Sequence, residues 1–359
     1  KDGQYSLFPT EMEQIALDIV GTYGRDTVVD IPKLRKENPR LNLAYEIAEQ
    51  NHFMHWELEF ADLFANNGGF DLVLGNPPWV KIEWKEEGLL SDVNPMFFIK
   101  GWSANEVAKH RNIELQNESV YKSYLYEYVA MSGEQNFLNA VQNYESLKGQ
   151  QTNLYKCFLP QAWMINTSNG VSGFLHPNGV FDDPKGGILR KALYTHLSKH
   201  FRFENEFKLF REVGNAMKFS LNIYSNELSK MFQAIFNLFT TSTIDDCYEG
   251  NRNSVLYGIT DEEGNWNTKG HPDRVIEINK KELLTFARLF DGNDEWEQAR
   301  LPIVHAKELL DVLTLFAEYP KTVANIVEQI STTEMWHETN SQKDGTIVRN
   351  VHFAESPMD

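Results

Sequence analysis

Phe70-Asp71-Leu72-Val73-Leu74-Gly75-Asn76-Pro77-Pro78-Trp79 is the stretch on which the reading of this 359-residue chain turns. Leu72, Val73 and Leu74 form the short apolar run expected of a strand covered on both faces. Gly75 permits a tight turn, and Pro77 and Pro78 cannot donate to a sheet ladder, so strand pairing must end there. What the strand then presents at its carboxyl end is the Asn76 amide beside the Trp79 ring. In open α/β sheets that edge is where ligands bind.

An amide followed by two prolines suits transfer of a methyl group to a planar amino nitrogen. Such a nitrogen is a poor nucleophile, because its lone pair is delocalised into the ring. The Asn76 side-chain oxygen and the Pro77 carbonyl can each accept one N–H, drawing the nitrogen toward a tetrahedral geometry. Proline fixes φ, so its carbonyl is held without an entropic cost on binding. The aromatic ring of Trp79 offers a face on which a flipped base can stack. The bland alternative is a strand that ends in a Pro-rich loop with no function.

Asn76-Pro77-Pro78-Trp79 resembles the motif IV tetrapeptide, Asn/Asp/Ser-Pro-Pro-aromatic, of amino-group methyltransferases. The lead-in His55-Trp56-Glu57-Leu58-Glu59-Phe60, followed by Gly69-Phe70-Asp71, is similar to one branch: the large adenine-N6 DNA methyltransferases of type IIG-like restriction–modification and phage-exclusion systems. Further matches follow in order. Asn153-Leu154-Tyr155-Lys156-Cys157-Phe158 resembles the family's Asp/Asn-Leu-Tyr helix start, and Gly173-Phe174-Leu175-His176-Pro177-Asn178 its Gly-Phe-Ile-Xaa-Pro-Asn strand and turn. Phe219-Ser220-Leu221-Asn222-Ile223-Tyr224 resembles a late strand of the same sheet. Ser242-Thr243-Ile244-Asp245 and Thr333-Glu334-Met335-Trp336-His337-Glu338-Thr339 extend the likeness.

The resemblance implies an α/β fold: part of a class I, Rossmann-like methyltransferase sheet with a helical insertion, followed by a mixed α+β spacer and target-recognition segment. It implies S-adenosyl-L-methionine as cofactor and double-stranded DNA as substrate, with restriction or defence-system subunits as further partners. It assigns Asn76, Pro77, Pro78 and Trp79 to the catalytic clamp, and Pro177 and Asn178 to a loop shaping the base pocket. Residues 1–69 lack the Gly-rich turn with which this branch holds its cofactor. The chain is therefore expected to be a fragment that keeps the catalytic loop but not the cofactor-binding half, with activity belonging to the longer protein.

Composition fits a globular chain of more than one domain, 42% hydrophobic. Cys157 and Cys247 have no close His partners, so neither a disulfide framework nor a zinc site is indicated. No apolar stretch approaches membrane-spanning length and no signal peptide is visible, so a cytoplasmic location is expected. The net charge of −17 argues against a self-sufficient DNA clamp, because 51 acidic residues outnumber 34 basic ones. A few basic residues gathered in one cleft remain compatible with that balance.

Three divisions are expected: an N-terminal helical segment (1–50), a catalytic part (51–228) with an insertion at 80–152, and a spacer leading into a target-recognition domain (229–359). Met12 to Val20 and Leu43 to Gln50 carry helical periodicity. In the insertion, Glu118 to Met131 and Glu134 to Leu147 read as two helices. Its functional reading is a lid or DNA-facing element, and its plain reading is a decoration on the sheet edge. Trp84, Trp102 and Lys85 suit substrate contact, though packing suits either Trp better. Leu154 to Ile165 and Gly187 to Lys199 read as helices, and Val171 to Leu175, Phe201 to Phe207 and Lys218 to Tyr224 as strands.

His176 lies at the sheet edge of motif IV, but the chemistry requires no base there. Beyond residue 229, Gly258, Gly264 and Gly270 punctuate an expected β-rich stretch. Helices are expected over Lys281 to Phe290, Ile303 to Glu318 and Thr322 to Ile330. His337, Lys343 and Arg349 suit either nucleic-acid contact or a solvated surface. Two other functions stay open: a methyltransferase acting on a protein glutamine or an RNA amino group, and a non-catalytic scaffold of a defence complex.

Overall fold

The computed structural model describes residues 30–150, 153–215, 217–261, 263–319 and 337–347. The chain divides into two compact units, one ending at Gly69 and the other beginning at Phe70. The expected helices at Met12 to Val20 and Thr322 to Ile330, and Arg349, lie outside the described residues.

In the first unit, helix Ile31–Glu37 starts where Asp30 accepts the backbone N–H of Lys33 at 3.0 Å, with a proline in its first turn. Helix Pro39–Asn51 contains the expected Leu43 to Gln50. Helix Ala61–Asn67 stops at Gly68, whose φ of 80° closes the last turn.

The second unit is α/β, as the sequence implies. Among the described residues its mixed sheet has six strands in the order β1-β2-β4-β3-β5-β6. The strands are β1 (Phe70–Gly75), β2 (Asn166–Pro177), β3 (Leu197–Glu204), β4 (Lys218–Ser225), β5 (Met231–Leu238) and β6 (Ile276–Asn279). β1 runs parallel to β2 and β3 parallel to β5, while β4 is antiparallel to both β2 and β3. The carboxyl ends of β1, β2, β3 and β5 therefore share one edge. The segment expected to be a spacer begins with β5 and β6, two strands of this same sheet.

Six helices of this unit are α1 (Glu118–Asn139), α2 (Leu154–Ile165), α3 (Gly179–Asp182), α4 (Gly187–His196), α5 (Lys280–Phe286) and α6 (Lys307–Glu318). On one sheet face Phe174, Phe232, Phe236, Ile276 and Ile278 pack with Leu159 and Ala162 of α2, Leu189 and Leu193 of α4, and Leu283 and Phe286 of α5. On the other, Phe201, Phe203, Phe219, Ile235 and Leu238 form a second core, with Trp79 and Leu175 at its border.

Several expectations are corrected. β1, expected to be covered on both faces, pairs among the described residues with β2 alone, and Leu72 and Leu74 are 57% and 71% exposed. Val73, on the opposite pleat, packs against the main core. In the insertion one helix, α1, replaces the expected two, because Ser132-Gly133-Glu134 offers only a glycine as breaker, about 1 kcal/mol. The expected second helix is reduced to a 3₁₀ turn at Glu145–Leu147.

α4 stops at His196 rather than Lys199, where β3 takes over, and β3 ends at Glu204 in a 3₁₀ turn, Asn205–Phe207. The expected β-rich stretch around Gly258 to Gly270 holds one isolated bridge, Thr260–Trp266. There Asp261 Oδ1 collects the backbone N–H groups of Glu263 and Asn265 at 3.0 and 2.8 Å and turns the chain back on itself. α6 begins at Lys307, four residues later than expected.

The insertion has a small core of its own, Leu90, Phe97 and Val107 with Trp102 and Tyr124. Trp102 stacks on His110 at 3.9 Å, and Trp84 meets Tyr124 and Tyr128 edge-on, so both tryptophans pack.

Candidate functional site

β1 ends at Gly75, pressed so closely on β2 that an added Cβ would lie 3.2 Å from Phe174. The chain then leaves the sheet as Asn76-Pro77-Pro78-Trp79. Asn76 and Pro78 are exposed, Pro77 is buried and Trp79 is partly buried. The Asn76 side chain makes no hydrogen bond to a described residue, so its amide is available for a ligand. Trp79 does more than offer a ring. Its indole N–H donates to the Leu175 carbonyl at 3.4 Å, and the ring lies 5.9 Å from Phe210 and 6.0 Å from Phe219.

The loop is tied down again immediately afterwards. Leu154 N–H donates to the Val80 carbonyl at 3.0 Å, and Lys81 forms an antiparallel bridge with Asn153. The start of α2 is thus joined to the segment after the motif, although the partners lie 72 and 74 positions apart in sequence. Between them and α3 opens a cleft of about 380 Å³, lined by Lys81, Asn153, Tyr155, Lys156, Gly179, Asp182 and Asp183. That volume is within the range of small-ligand sites.

Most of the polar lining is already paired. The buried Lys156 ammonium donates to Gln150 Oε1 at 2.8 Å and to Asp183 Oδ2 at 3.3 Å. Burial lowers the Lys156 pKa, and the Asp183 charge opposes that shift. Burial would raise the Asp183 pKa, but the Lys185 backbone N–H and the Lys156 ammonium outweigh it and hold it low. Arg190 donates to the Asp183 carbonyl at 2.6 Å and fixes the same turn. Asp182 accepts both 3.2 Å bonds from the Asn178 amide nitrogen.

Pro177 and Asn178 close β2 at the same edge as Asn76. Asn178 is buried, and its backbone N–H donates to Lys218 at 3.1 Å. Behind them His176 is fully buried, 0% exposed, with its ring 5.3 Å from Tyr155. Its Nδ1 lies 2.8 Å from the Pro177 carbonyl, which only accepts, so Nδ1 carries the proton. Nε2 then accepts from the Tyr224 hydroxyl at 2.8 Å and the Asn222 amide at 2.9 Å. Asn222 Oδ1 in turn accepts from His200 Nδ1 at 2.7 Å. Burial lowers the His176 pKa to about 4 and that of His200 to about 3. His176 is neutral and sealed from substrate, so it supports the Pro177 turn and is no base.

Asn76, Pro77, Pro78 and Trp79, expected to form a clamp, thus follow β1 at the same sheet edge where Pro177 and Asn178 close β2. The sequence reading misses Lys81, Asn153, Lys156, Asp182 and Asp183. The Asn-Leu-Tyr-Lys run at the head of α2 was the available signal, since it resembles a motif of the same family.

His337 sits at the start of helix Glu338–Lys343, where its ring nitrogen accepts the Asn340 N–H at 3.4 Å. Among the described residues no cluster of His, Cys, Asp and Glu could hold a metal ion, and no helix is long and apolar enough to cross a membrane. Nor do they contain a strand, Gly-rich turn and helix of the kind that would cradle a nucleotide-like cofactor. Gly68 and Gly69 precede β1 and do not follow it.

Residues 16–123, which include the motif loop, match the family described as Eco57I restriction-modification methylase. Comparison with curated proteins gave no match. Among solved structures, the chain is similar to a modification subunit of a putative type I restriction enzyme from Vibrio vulnificus YJ016, at 11% identity and a TM-score of 0.34, covering 68% of this chain and 41% of that one. It is also similar to a type I restriction-modification methyltransferase subunit from Streptococcus thermophilus, at 15% identity and a TM-score of 0.29, covering 51% and 32%. A third is the M protein of the type I restriction enzyme EcoKI, at 14% identity and a TM-score of 0.28, covering 57% and 48%. The chain spans less than half the length of each of these three structures.

Proposed function

We propose that this chain supplies the amino-group clamp of an S-adenosylmethionine-dependent, adenine-N6 DNA methyltransferase of a restriction–modification or phage-defence system. The observation that carries the reading is Asn76: an exposed amide with no hydrogen-bonded neighbour among the described residues, set at the carboxyl end of β1 and followed by a buried proline. The match of residues 16–123 to a restriction-modification methylase family supports it.

In this reading the target adenine leaves the duplex, at a cost of a few kcal/mol, roughly, and enters the cleft beside Lys81 and Asn153. Asn76 Oδ1 and the Pro77 carbonyl accept the two N–H bonds of its amino group. Both acceptors lie on one side of the nitrogen, so its lone pair is turned to the other. Desolvation and a fixed geometry, rather than a general base, lower the barrier. The extra proton on the nitrogen leaves through one of these oxygens or to water. The described residues do not fit the methyl donor, lacking the Gly-rich turn, so none is assigned to it.

The test is methyl transfer from labelled S-adenosylmethionine to adenine-containing duplex DNA, by the longest polypeptide that carries this sequence. Asn76→Ala is expected to lower the rate at least a hundredfold, roughly the worth of one oriented hydrogen-bonding group, with the melting temperature unchanged. Unaltered methylation in that variant overturns the assignment of Asn76. Absence of methylation by the wild-type protein on adenine-containing DNA overturns the activity.

A further inference from the structure

We propose that Asn153 holds the target base in register in this cleft, by offering its carboxamide N–H to the ring nitrogen beside the clamped amino group. The inference rests on the amino-clamp reading above.

Asn153 occupies the N-cap position of α2, with φ −131° and ψ 132°, yet its side chain caps nothing. An asparagine there ordinarily accepts a backbone N–H from the first turn, an arrangement worth about 1 kcal/mol. Here the oxygen is enclosed and without a partner. Leaving a buried acceptor unpaired costs about 1–3 kcal/mol. Asn166, Asn178 and Asn226 also bury an unpartnered carboxamide oxygen. Each of those three is anchored through its nitrogen, to Ser172, to Asp182, and to the Trp163 and Thr167 carbonyls respectively. Asn153 is bonded to described residues at neither end, and of the four it alone lines the cleft.

Three polar side chains of the cleft, Asn153, Lys81 and Tyr155, have no side-chain bond to a described residue, and Asn153 is the carboxamide among them. Lys156 and Asp183 bond to each other, and Asp182 is taken by Asn178. The Asn153 backbone is meanwhile bridged to Lys81, two residues beyond Trp79, so its distance from the clamp is fixed by the fold. With the oxygen enclosed, the NH₂ group is the end of this carboxamide left for a ligand, and no described residue accepts from it. Adenine offers acceptor nitrogens on both sides of its amino group, N1 and N7. With both amino protons taken by Asn76 and Pro77, a ring nitrogen is the complement that remains for an Asn153 N–H. A thymine or a guanine presents an oxygen where the clamp requires an amino group, and this second contact holds an adenine in register.

The experiment combines Asn153→Ala and Asn153→Asp with duplexes carrying 1-deazaadenine or 7-deazaadenine at the target, read as kcat/KM for methylation. Base extrusion is followed in parallel with 2-aminopurine fluorescence, and stability by melting temperature. Both variants are expected to lose about ten- to a hundredfold in kcat/KM on adenine, the range of one to two hydrogen bonds. Asp, which keeps the acceptors but has no N–H, should be no better than Ala. One deaza analogue should impose the same loss on the wild type and none on Asn153→Ala. The melting temperature of Asn153→Ala should equal or exceed that of the wild type, since no native bond is removed. Full kcat/KM in Asn153→Ala, or losses from variant and analogue that simply multiply, overturns the proposal. So does a melting temperature lowered by several degrees, which would make Asn153 structural. If adenine is not methylated even by the wild type, the clamp reading fails, and the melting comparison still decides whether Asn153 is structural.

Discussion

The buried imidazole of His176 makes the stability of this chain depend on pH below neutrality. Its ordinary pKa is 6.5, and burial lowers it to about 4. The unfolded chain therefore takes up a proton as pH falls below 6.5 that the folded chain refuses until about 4. Stability from the neutral imidazole is fully present above 6.5 and is lost progressively on descent toward 4. A shift of that size corresponds to about 3 kcal/mol across the window, with a slope near 1.4 kcal/mol per pH unit at its steepest. His200, linked to it through Asn222, adds a similar term. The perturbation is His176→Gln, whose amide can still donate toward Pro177 and accept from Tyr224 but cannot be protonated. Urea unfolding followed by circular dichroism between about pH 5 and 6.5 should give a lower absolute stability for the variant and a slope shallower by about 1 kcal/mol per pH unit. Equal slopes in the two proteins would refute a neutral, buried His176.

Trp79→Ala should destabilise the chain by about 2 kcal/mol, less than a fully buried Trp, and should weaken base capture more than cofactor binding. The reverse pattern in binding would place Trp79 against the cofactor. Trp79→Phe should cost about 1 kcal/mol, the worth of the lost bond to the Leu175 carbonyl, and an unchanged urea midpoint would show that bond to be idle. Gly270→Ala puts a methyl 2.5 Å from the Cys247 backbone nitrogen and 2.6 Å from the Asp246 carbonyl carbon. Neither can yield as a side chain would, so a loss of about 1–3 kcal/mol is expected, and an unchanged melting temperature would contradict the packing at helix Ser242–Glu249.

What was legible in the sequence is what short-range chemistry decides. The strand at 70–75 and its abrupt end follow from Gly75 and the two prolines, and α2 spans Leu154–Ile165 as its apolar period requires. What was not legible depends on neighbours distant in sequence. Nothing in Leu72-Val73-Leu74 says that β1 pairs, among the described residues, on one side only. His200, Arg202, Ser220 and Asn222 alternate with apolar residues, the pattern of a half-solvated sheet. They are buried instead: Asn222 bonds His200, His176 and Ser220 across three strands, while Arg202 pairs with Glu204. The cleft residues come from Lys81 just beyond the motif, from α2 and its cap, and from α3 and the residue after it, and only the fold shows that these meet.

Among the described residues β1 has one ladder partner, β2, with Leu72 and Leu74 exposed, so the strand by itself supplies little of what the proposed clamp needs, an amide kept within hydrogen-bonding distance of a nitrogen. The compensation comes after the motif rather than before it. Pro77 is buried, the Trp79 indole is fastened to the β2 backbone at Leu175, and Val80 and Lys81 are bonded to the head of α2. Asn76 is therefore held between the end of β1 and three successive anchors downstream, two of which also fix Asn153. The same bonds that steady the clamp set its distance from the cleft. A change at Leu175 or at the start of α2 should thus shift the amide without touching it.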